Sequence, residues 1–296
     1  MIDHFSRFHP IVNFTYFAFV IGFSMFFLHP IYMLISIGGA FVYSIILNGK
    51  RGLKFNVVFM LPMLILVGCI NPLFNHEGAT ILFYLKNGNP FTLESVIYGL
   101  ISSTMLVTVI MWFSCYNKIM TSDKFIYLFG KIIPSLSLIL SMVLRFVPEY
   151  KAKIITISNA QKCIGNDVTN GNIIQKAKNG IKILSIMTTW ALENGIETAD
   201  SMKARGYGLK GRTAFSNYRM MTRDKIVFIL IVSLGVFIIG CSTFDLTTVR
   251  YFPTIKFTGF GMINIVSYIG YFILCFIPVF ITTREEIRWK YLISKI

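Results

Sequence analysis

The chain of 296 residues is 55% hydrophobic, 15% aromatic and only 14% charged, with a mean hydropathy of +0.67. An ordinary water-soluble domain carries about a quarter of charged residues, so that class is excluded and a lipid bilayer is the solvent to which the composition is matched. The net charge of +15 would suit nucleic acid, but basic loops beside membrane spans account for it, and no nucleic-acid partner is expected.

In chain order, the N-terminus Met1-Ile2-Asp3-His4-Phe5-Ser6-Arg7 lacks the basic segment and small-residue cleavage site of a signal peptide, so the first apolar run is expected to be retained. Nearly charge-free runs at 11–28, 31–47, 57–74, 93–116, 226–241 and 262–281 predict six crossings, because about twenty residues of helix cover a roughly 30 Å hydrocarbon core. His29-Pro30 makes a tight turn between the first two, and residues 48–54, with Lys50, Arg51 and Lys54, form a basic turn before the third.

Basic residues mark the cytoplasmic side. Of the 28 Lys and Arg residues, seventeen fall in 117–225, whereas the loops on the opposite side hold only Lys86, Arg250 and Lys256. A multi-pass protein of the cell membrane with both termini in the cytoplasm is therefore expected. Its predicted regions are N-terminal spans (1–116), a cytoplasmic region (117–225), and a C-terminal hairpin with a cytoplasmic tail (226–296).

The cytoplasmic region carries helical periodicity. The apolar run 132–147, interrupted by Pro134 and Arg145, is short for a crossing and predicts an interfacial or buried helix. Arg145 either pairs with Glu149 at i+4 or extends to the headgroups. Tyr150, Ile154, Ile157, Gln161 and Ile164 then follow a 4,3,4,3 spacing, with Pro148 placed to start that helix. A turn-rich stretch, 165–172, precedes a second stripe of Ile174, Ala177, Ile181, Leu184, Thr188, Ala191, Gly195, Thr198 and Met202. Gly206, Gly208 and Gly211 are expected to end that helix. The fold class is thus an all-α integral membrane protein with about six transmembrane helices and long amphipathic cytoplasmic helices.

Catalytic signatures are missing. There are no paired carboxylates within the spans, no Walker-type glycine loop and no HExxH, so a non-catalytic chain without a cofactor of its own is expected. His76 beside Glu77 reads as a polar turn after Asn71-Pro72. Cys69, Cys115, Cys163, Cys241 and Cys275 have no metal-ligand or disulfide spacing and read as small apolar residues, so no metal site is expected.

The stretch 199–213 contains Ser201-Met202-Lys203-Ala204-Arg205-Gly206-Tyr207-Gly208 and then Arg212-Thr213. An arginine between small residues near a helix end can enter a narrow groove and meet carboxylates or carbonyl oxygens with its planar fork of donors. The same arginine is also a cation well placed against the helix dipole, with Gly206 as the cap.

This stretch resembles the second signature of the transmembrane T component of energy-coupling factor (ECF) transporters, the EcfT/CbiQ-like family of ABC importer subunits. Residues 71–78 and 144–149 also resemble that family. The resemblance implies two cytoplasmic coupling helices that dock on two ABC ATPases, which bind the ATP. It further implies a membrane-embedded S component that binds the vitamin or transition metal. The family's first signature aligns with Ala160-Gln161-Lys162-Cys163-Ile164-Gly165, where Ile164 stands in place of the expected arginine, which implies a weaker or altered contact. The alternative is a self-contained permease or polytopic membrane enzyme.

Overall fold

Long apolar runs close their own backbone hydrogen bonds as helices, the only open-ended arrangement that lipid tolerates. The computed structural model describes residues 4–84, 89–130, 133–169, 171–209, 218–243, 249–257 and 261–293. The predicted roles of Lys86, Lys210, Gly211, Arg212, Thr213 and Lys295 fall outside the described residues.

A 3-10 turn at Phe5–Arg7 leads into α1 (Pro10–Phe26) and α2 (Pro30–Asn48). Each helix has proline in its first turn and a histidine N-cap, His9 or His29, whose ring accepts a backbone N–H. Burial pushes the His29 imidazole below its usual range. Its Nδ1 accepts from Ile31 N at 3.3 Å and its Nε2 meets the Tyr268 hydroxyl at 3.2 Å, so the tight turn is held by a neutral ring.

The predicted basic turn at 48–54 is a turn only in part. Gly49 takes φ +57°, and α3 (Lys50–Phe55) then runs through a wide π-type turn at Asn56–Met60 into α4 (Leu61–Phe74). Pro62 explains the widening, because it has no N–H for the carbonyl one turn back. Next come α5 (Leu93–Ile119) and α6 (Ser122–Gly130). They are followed by α7 (Pro134–Cys163), α8 (Ile173–Ala204), α9 (Thr222–Thr243) and α10 (Met262–Ile293). Two short antiparallel hairpins, β1 (Ile81–Tyr84) with β2 (Pro90–Thr92) and β3 (Val249–Arg250) with β4 (Lys256–Phe257), cap loops between helices.

The chain is an all-α membrane protein. Among the described residues, Pro30–Asn48, Lys50–Phe74, Leu93–Ile119, Thr222–Thr243 and Met262–Ile293 are long and apolar enough to cross a bilayer. The sixth predicted crossing, α1, has 17 residues, at the lower limit of a spanning helix. The tail expected after Thr283 is helical and continues α10 to Ile293.

Two compact units emerge, one of Met1–Phe125 with Tyr218–Ile296, the other of Ile126–Asn217. In the first, aromatic rings and small residues interlock. Trp112 Nε1 donates to Ser36 Oγ at 3.0 Å, Ser36 meets Ser24 at 2.6 Å, and Tyr16 donates to the Cys275 carbonyl at 3.0 Å. These hydrogen bonds give the buried polar groups they join partners within the bundle. Gly39 admits the contact of α2 with α10, since a Cβ there would lie 3.1 Å from Cys275 Cβ. α4 and α5 pack as closely: a Cβ on Gly99 would lie 2.6 Å from the Gly68 carbonyl oxygen. At the end of this bundle Lys118 Nζ donates to Leu47 O at 2.5 Å, a backbone carbonyl that the end of α2 leaves open, and to the Asn48 side-chain Oδ1 at 2.8 Å.

The second unit corrects one sequence expectation. From Pro134 on, the apolar run and the helix expected from Pro148 are one 30-residue helix, α7, with Pro148 in its interior. Proline removes one ladder bond there, a loss that a helix anchored on both sides withstands. The stripe Ile174, Ile181 and Leu184 on α8 is largely uncovered within the chain, at 78%, 67% and 62% exposed. The face packed on α7 is instead Asn179, Ile183 and Met187 with Trp190. The helix is apolar on two faces, and the face bearing its tryptophan is the one that packs.

Candidate docking ends of two helices

The contacts between α7 and α8 run in opposite sequence order. Tyr150 meets Trp190 edge-on at 5.3 Å, and further along Ile157 packs with Ile183 and Met187. Lys153 Nζ lies 5.1 Å from the Trp190 ring centroid, a cation–π contact at the edge of the same cluster. The two helices therefore pass antiparallel. At 1.5 Å per residue, the C-terminal end of α7 lies about 10 Å beyond the Ile157 level, and that of α8 about 27 Å beyond the Met187 level, in the opposite direction. Two helix ends thus point away from one shared crossing.

Both ends close with the same hydrogen-bond pattern. At the end of α8, Gly206 N donates to Lys203 O at 3.0 Å and Tyr207 N to Met202 O at 3.0 Å, with Gly206 at φ +84°. At the end of α7, Gly165 N donates to Lys162 O at 3.1 Å and Asn166 N to Gln161 O at 2.9 Å, with Gly165 at φ +78°. Each is a Schellman closure, which needs a left-handed residue just past the helix and hence glycine. The pattern places Arg205 and Ile164 at equivalent C-cap positions, with Lys203 and Lys162 also equivalent.

The two ends differ in what they present. Arg205 is exposed, and among the described residues no carboxylate lies within ion-pairing distance of it. Ser201, Lys203, Ala204 and Tyr207 are exposed around it, and Met202 and Gly206 partly so. Lys203 meets Asp200 at 4.0 Å with both side chains more than two-thirds exposed, a contact worth little in water. At the α7 end, Ala160, Lys162, Cys163, Ile164 and Gly165 are exposed and Gln161 is half-buried. Ile164 is 67% exposed, so this end presents an apolar side chain where the α8 end presents a guanidinium.

The link between α7 and α8 is more than the turn-rich connection read from 165–172. Lys162 pairs with Asp167 at 3.8 Å, Lys182 Nζ donates to Asn166 Oδ1 at 3.1 Å, and Asn179 Nδ2 donates to Asp167 O at 2.9 Å. Asn166 Nδ2 also reaches Gln161 Oε1 at 2.9 Å. These bonds fix the α7 end against the first turns of α8. The i, i+4 recurrence of Asn179, Ile183 and Met187 was the available signal for this face.

Elsewhere the expected sites are quiet. His76 and Glu77 sit in a polar turn, with Glu77 N bonded to Asn75 Oδ1 and His76 Nε2 at 3.0 Å from Asn89 Nδ2. Arg145 and Glu149 form no ion pair among the described residues, and both are exposed. Cys115, Cys241 and Cys275 are buried, while Cys69 and Cys163 are exposed.

No family model matches the chain. Curated relatives do, each bearing the name energy-coupling factor transporter transmembrane protein EcfT. The protein of Streptococcus equi subsp. equi is 38% identical over 106 residues, 35% of this chain and 39% of its own length. That of Streptococcus thermophilus is 40% identical over 101 residues, 34% of this chain and 38% of its own. That of Brevibacillus brevis is 36% identical over 115 residues, 38% and 43%. The chain spans about two fifths of the length of the relatives it matches, and over that third of its own length it is EcfT-like.

Proposed function

We propose that this EcfT-like chain is the transmembrane coupling subunit of an ECF-type ABC importer. Two partner ABC ATPases bind and hydrolyse ATP, and the α7 and α8 ends dock one on each. Their displacement passes through the crossed helices to a membrane-embedded S component that takes up a vitamin or transition metal. The observation that carries this reading is the pair of identically closed helix ends, one offering a guanidinium with no ion-pair partner among the described residues, directed away from each other about one crossing. Two ends facing apart serve two partners better than one.

The exposed face of α8 with Ile174, Ile181 and Leu184 is suited to gripping a second membrane protein by close packing. A self-contained permease is disfavoured by where the charges sit. In the five helical stretches fit to cross a bilayer, the described Asp, Glu, Lys and Arg residues lie near an end, and from Arg284 onward in α10, whereas ionisable groups on a transport pathway lie within the bilayer. The reading also orients both termini toward the cytoplasm, the side of the basic 117–225 region.

Capture of the tagged chain from native membranes in mild detergent tests this proposal. Two ABC ATPase chains and a small apolar membrane protein are the expected companions; recovery of the chain alone with a bound small molecule would replace coupling by permeation. Ile164→Arg, which restores at the α7 end the residue found at the α8 end, is expected to keep ATPase recovery at or above the wild-type yield. Loss of the ATPases in that variant would show that the first groove requires the isoleucine.

A further inference from the structure

The second unit leaves the first just after Lys124 and Phe125 and returns at Tyr218. Both junctions are held by the same short N-terminal segment. Lys124 is 7% exposed, and its Nζ donates to Ser6 O at 2.5 Å and to Ile119 O at 3.0 Å. With the Asn13 amide turned to satisfy both neighbours, its oxygen accepts from Lys124 Nζ at 3.1 Å while its nitrogen donates to Phe5 O at 3.1 Å. The ammonium thus spends three donors on three oxygens from the N-terminal turn, α1 and the end of α5.

On the returning side, the Arg223 guanidinium lies 4.3 Å from the Phe8 ring centroid, and the Tyr218 ring meets His9 edge-on at 6.5 Å. Burial, and after it the charge of Asp123, pushes the Tyr218 hydroxyl above its usual range. The segment itself is not loose. Phe5 is wholly buried against Tyr16 at 5.1 Å and Tyr43 at 6.4 Å, and Phe8, His4 and His9 are buried with it. Burying a lysine head is costly unless its donors are met, so an arrangement that meets them here at the chain's junction calls for a reason beyond packing.

We infer that His4 to His9 form a clasp, with Lys124 as its positioning residue, that pins both chain junctions of the second unit to the α1–α5 core. The inference rests on the coupling reading above and adds the point through which displacement reaches the spans. A pinned junction transmits a displacement; a loose one absorbs it. Lys124 acts in this reading through its contacts with Ser6, Asn13 and Ile119.

Hydrogen–deuterium exchange on the nanodisc-embedded complex with its ATPases, with and without ADP–vanadate, tests this without knowledge of the substrate. In the wild type, vanadate trapping is expected to change exchange in peptides of α1, α5 and α10. In Lys124→Met that difference is expected to fall at least five-fold while ATPase recovery and vanadate trapping stay within two-fold of wild type. Arg223→Gln, which also removes the partner of the buried Asp224 carboxylate at 3.8 Å and is therefore checked for a single elution peak in detergent, is expected to reduce it about two-fold, and Lys124→Arg to restore part of the loss. Undiminished span responses in both Lys124→Met and Arg223→Gln would overturn the clasp while leaving coupling intact. A wild-type complex with ATPases bound but spans indifferent to vanadate would overturn the coupling reading, and the clasp with it.

Discussion

Arg205→Glu is expected to abolish recovery of the ATPases with this chain while leaving its insertion and folding unchanged. The side chain is exposed and has no ion-pair partner among the described residues, so its loss costs the isolated chain almost nothing. In a docked complex the same guanidinium would be seated among acceptors, where removing one member of a desolvated charge pair costs about 2–5 kcal/mol, a drop of roughly 30-fold or more in affinity. Reversal of the charge adds repulsion to that loss. Arg205→Lys is expected to fall between, since a lysine keeps the charge but not the planar fork. Pull-down yield against ATPase concentration separates the three forms, and Arg205→Glu recovering its partners at the wild-type midpoint would show that this end is not the docking element.

Gly99→Leu is expected to prevent the membrane unit from folding to a monodisperse form. A Cβ at this position lies 2.6 Å from the Gly68 carbonyl oxygen and 3.2 Å from Pro72 Cδ, so α4 and α5 have to separate to admit any side chain. The obstruction is backbone, which cannot rotate out of the way, and overpacking of this kind costs about 1–3 kcal/mol or more. Helix association in lipid depends on such close approach, with no hydrophobic drive between helices to compensate. Gly22→Ala is the control, because a Cβ there meets nothing within 4 Å and alanine favours the helix. The fraction of protein eluting as a single peak in detergent, and its thermal midpoint, are expected to drop for Gly99→Leu and hold or rise for Gly22→Ala. Equal elution of both variants would show that α4 and α5 are not in contact in the folded protein.

Much of the membrane unit was legible because hydropathy and helix length are coupled by bilayer thickness. The starts of α2, α5 and α10 fall within a residue of the predicted 31, 93 and 262. The helix ends extended further than the apolar runs, since a basic or polar turn such as Lys50–Phe55 can stay helical once outside the hydrocarbon. In the second unit, periodicity gave the existence of α8 and one of its apolar faces, but not the face that packs within the chain. Ile174, Ile181 and Leu184 repeat as regularly as Asn179, Ile183 and Met187, and nothing in a one-dimensional pattern says which face finds a partner within the same chain. Pro148 was read as a start because proline favours a first turn, whereas the flanking turns on both sides carried the helix through it. Arg205 and Ile164 were legible as aligned positions from the resemblance alone; their equivalence as C-cap residues rests on the backbone bonds at Gly165 and Gly206. The contact of Lys124 with the Ser6 carbonyl oxygen, 118 residues away, left no local signal.

The central claim is that the α8 end sits in a groove of an ATPase. Tyr207, 47% exposed and one residue past the left-handed Gly206, can be replaced by a photoreactive benzoylphenylalanine of similar shape without disturbing the closure. Irradiation of native membranes is expected to yield an adduct between this position and an ABC ATPase, lost in the Arg205→Glu background. Adducts to lipid, or labelling of position 207 by a reagent confined to the outside of the cell, would contradict the account.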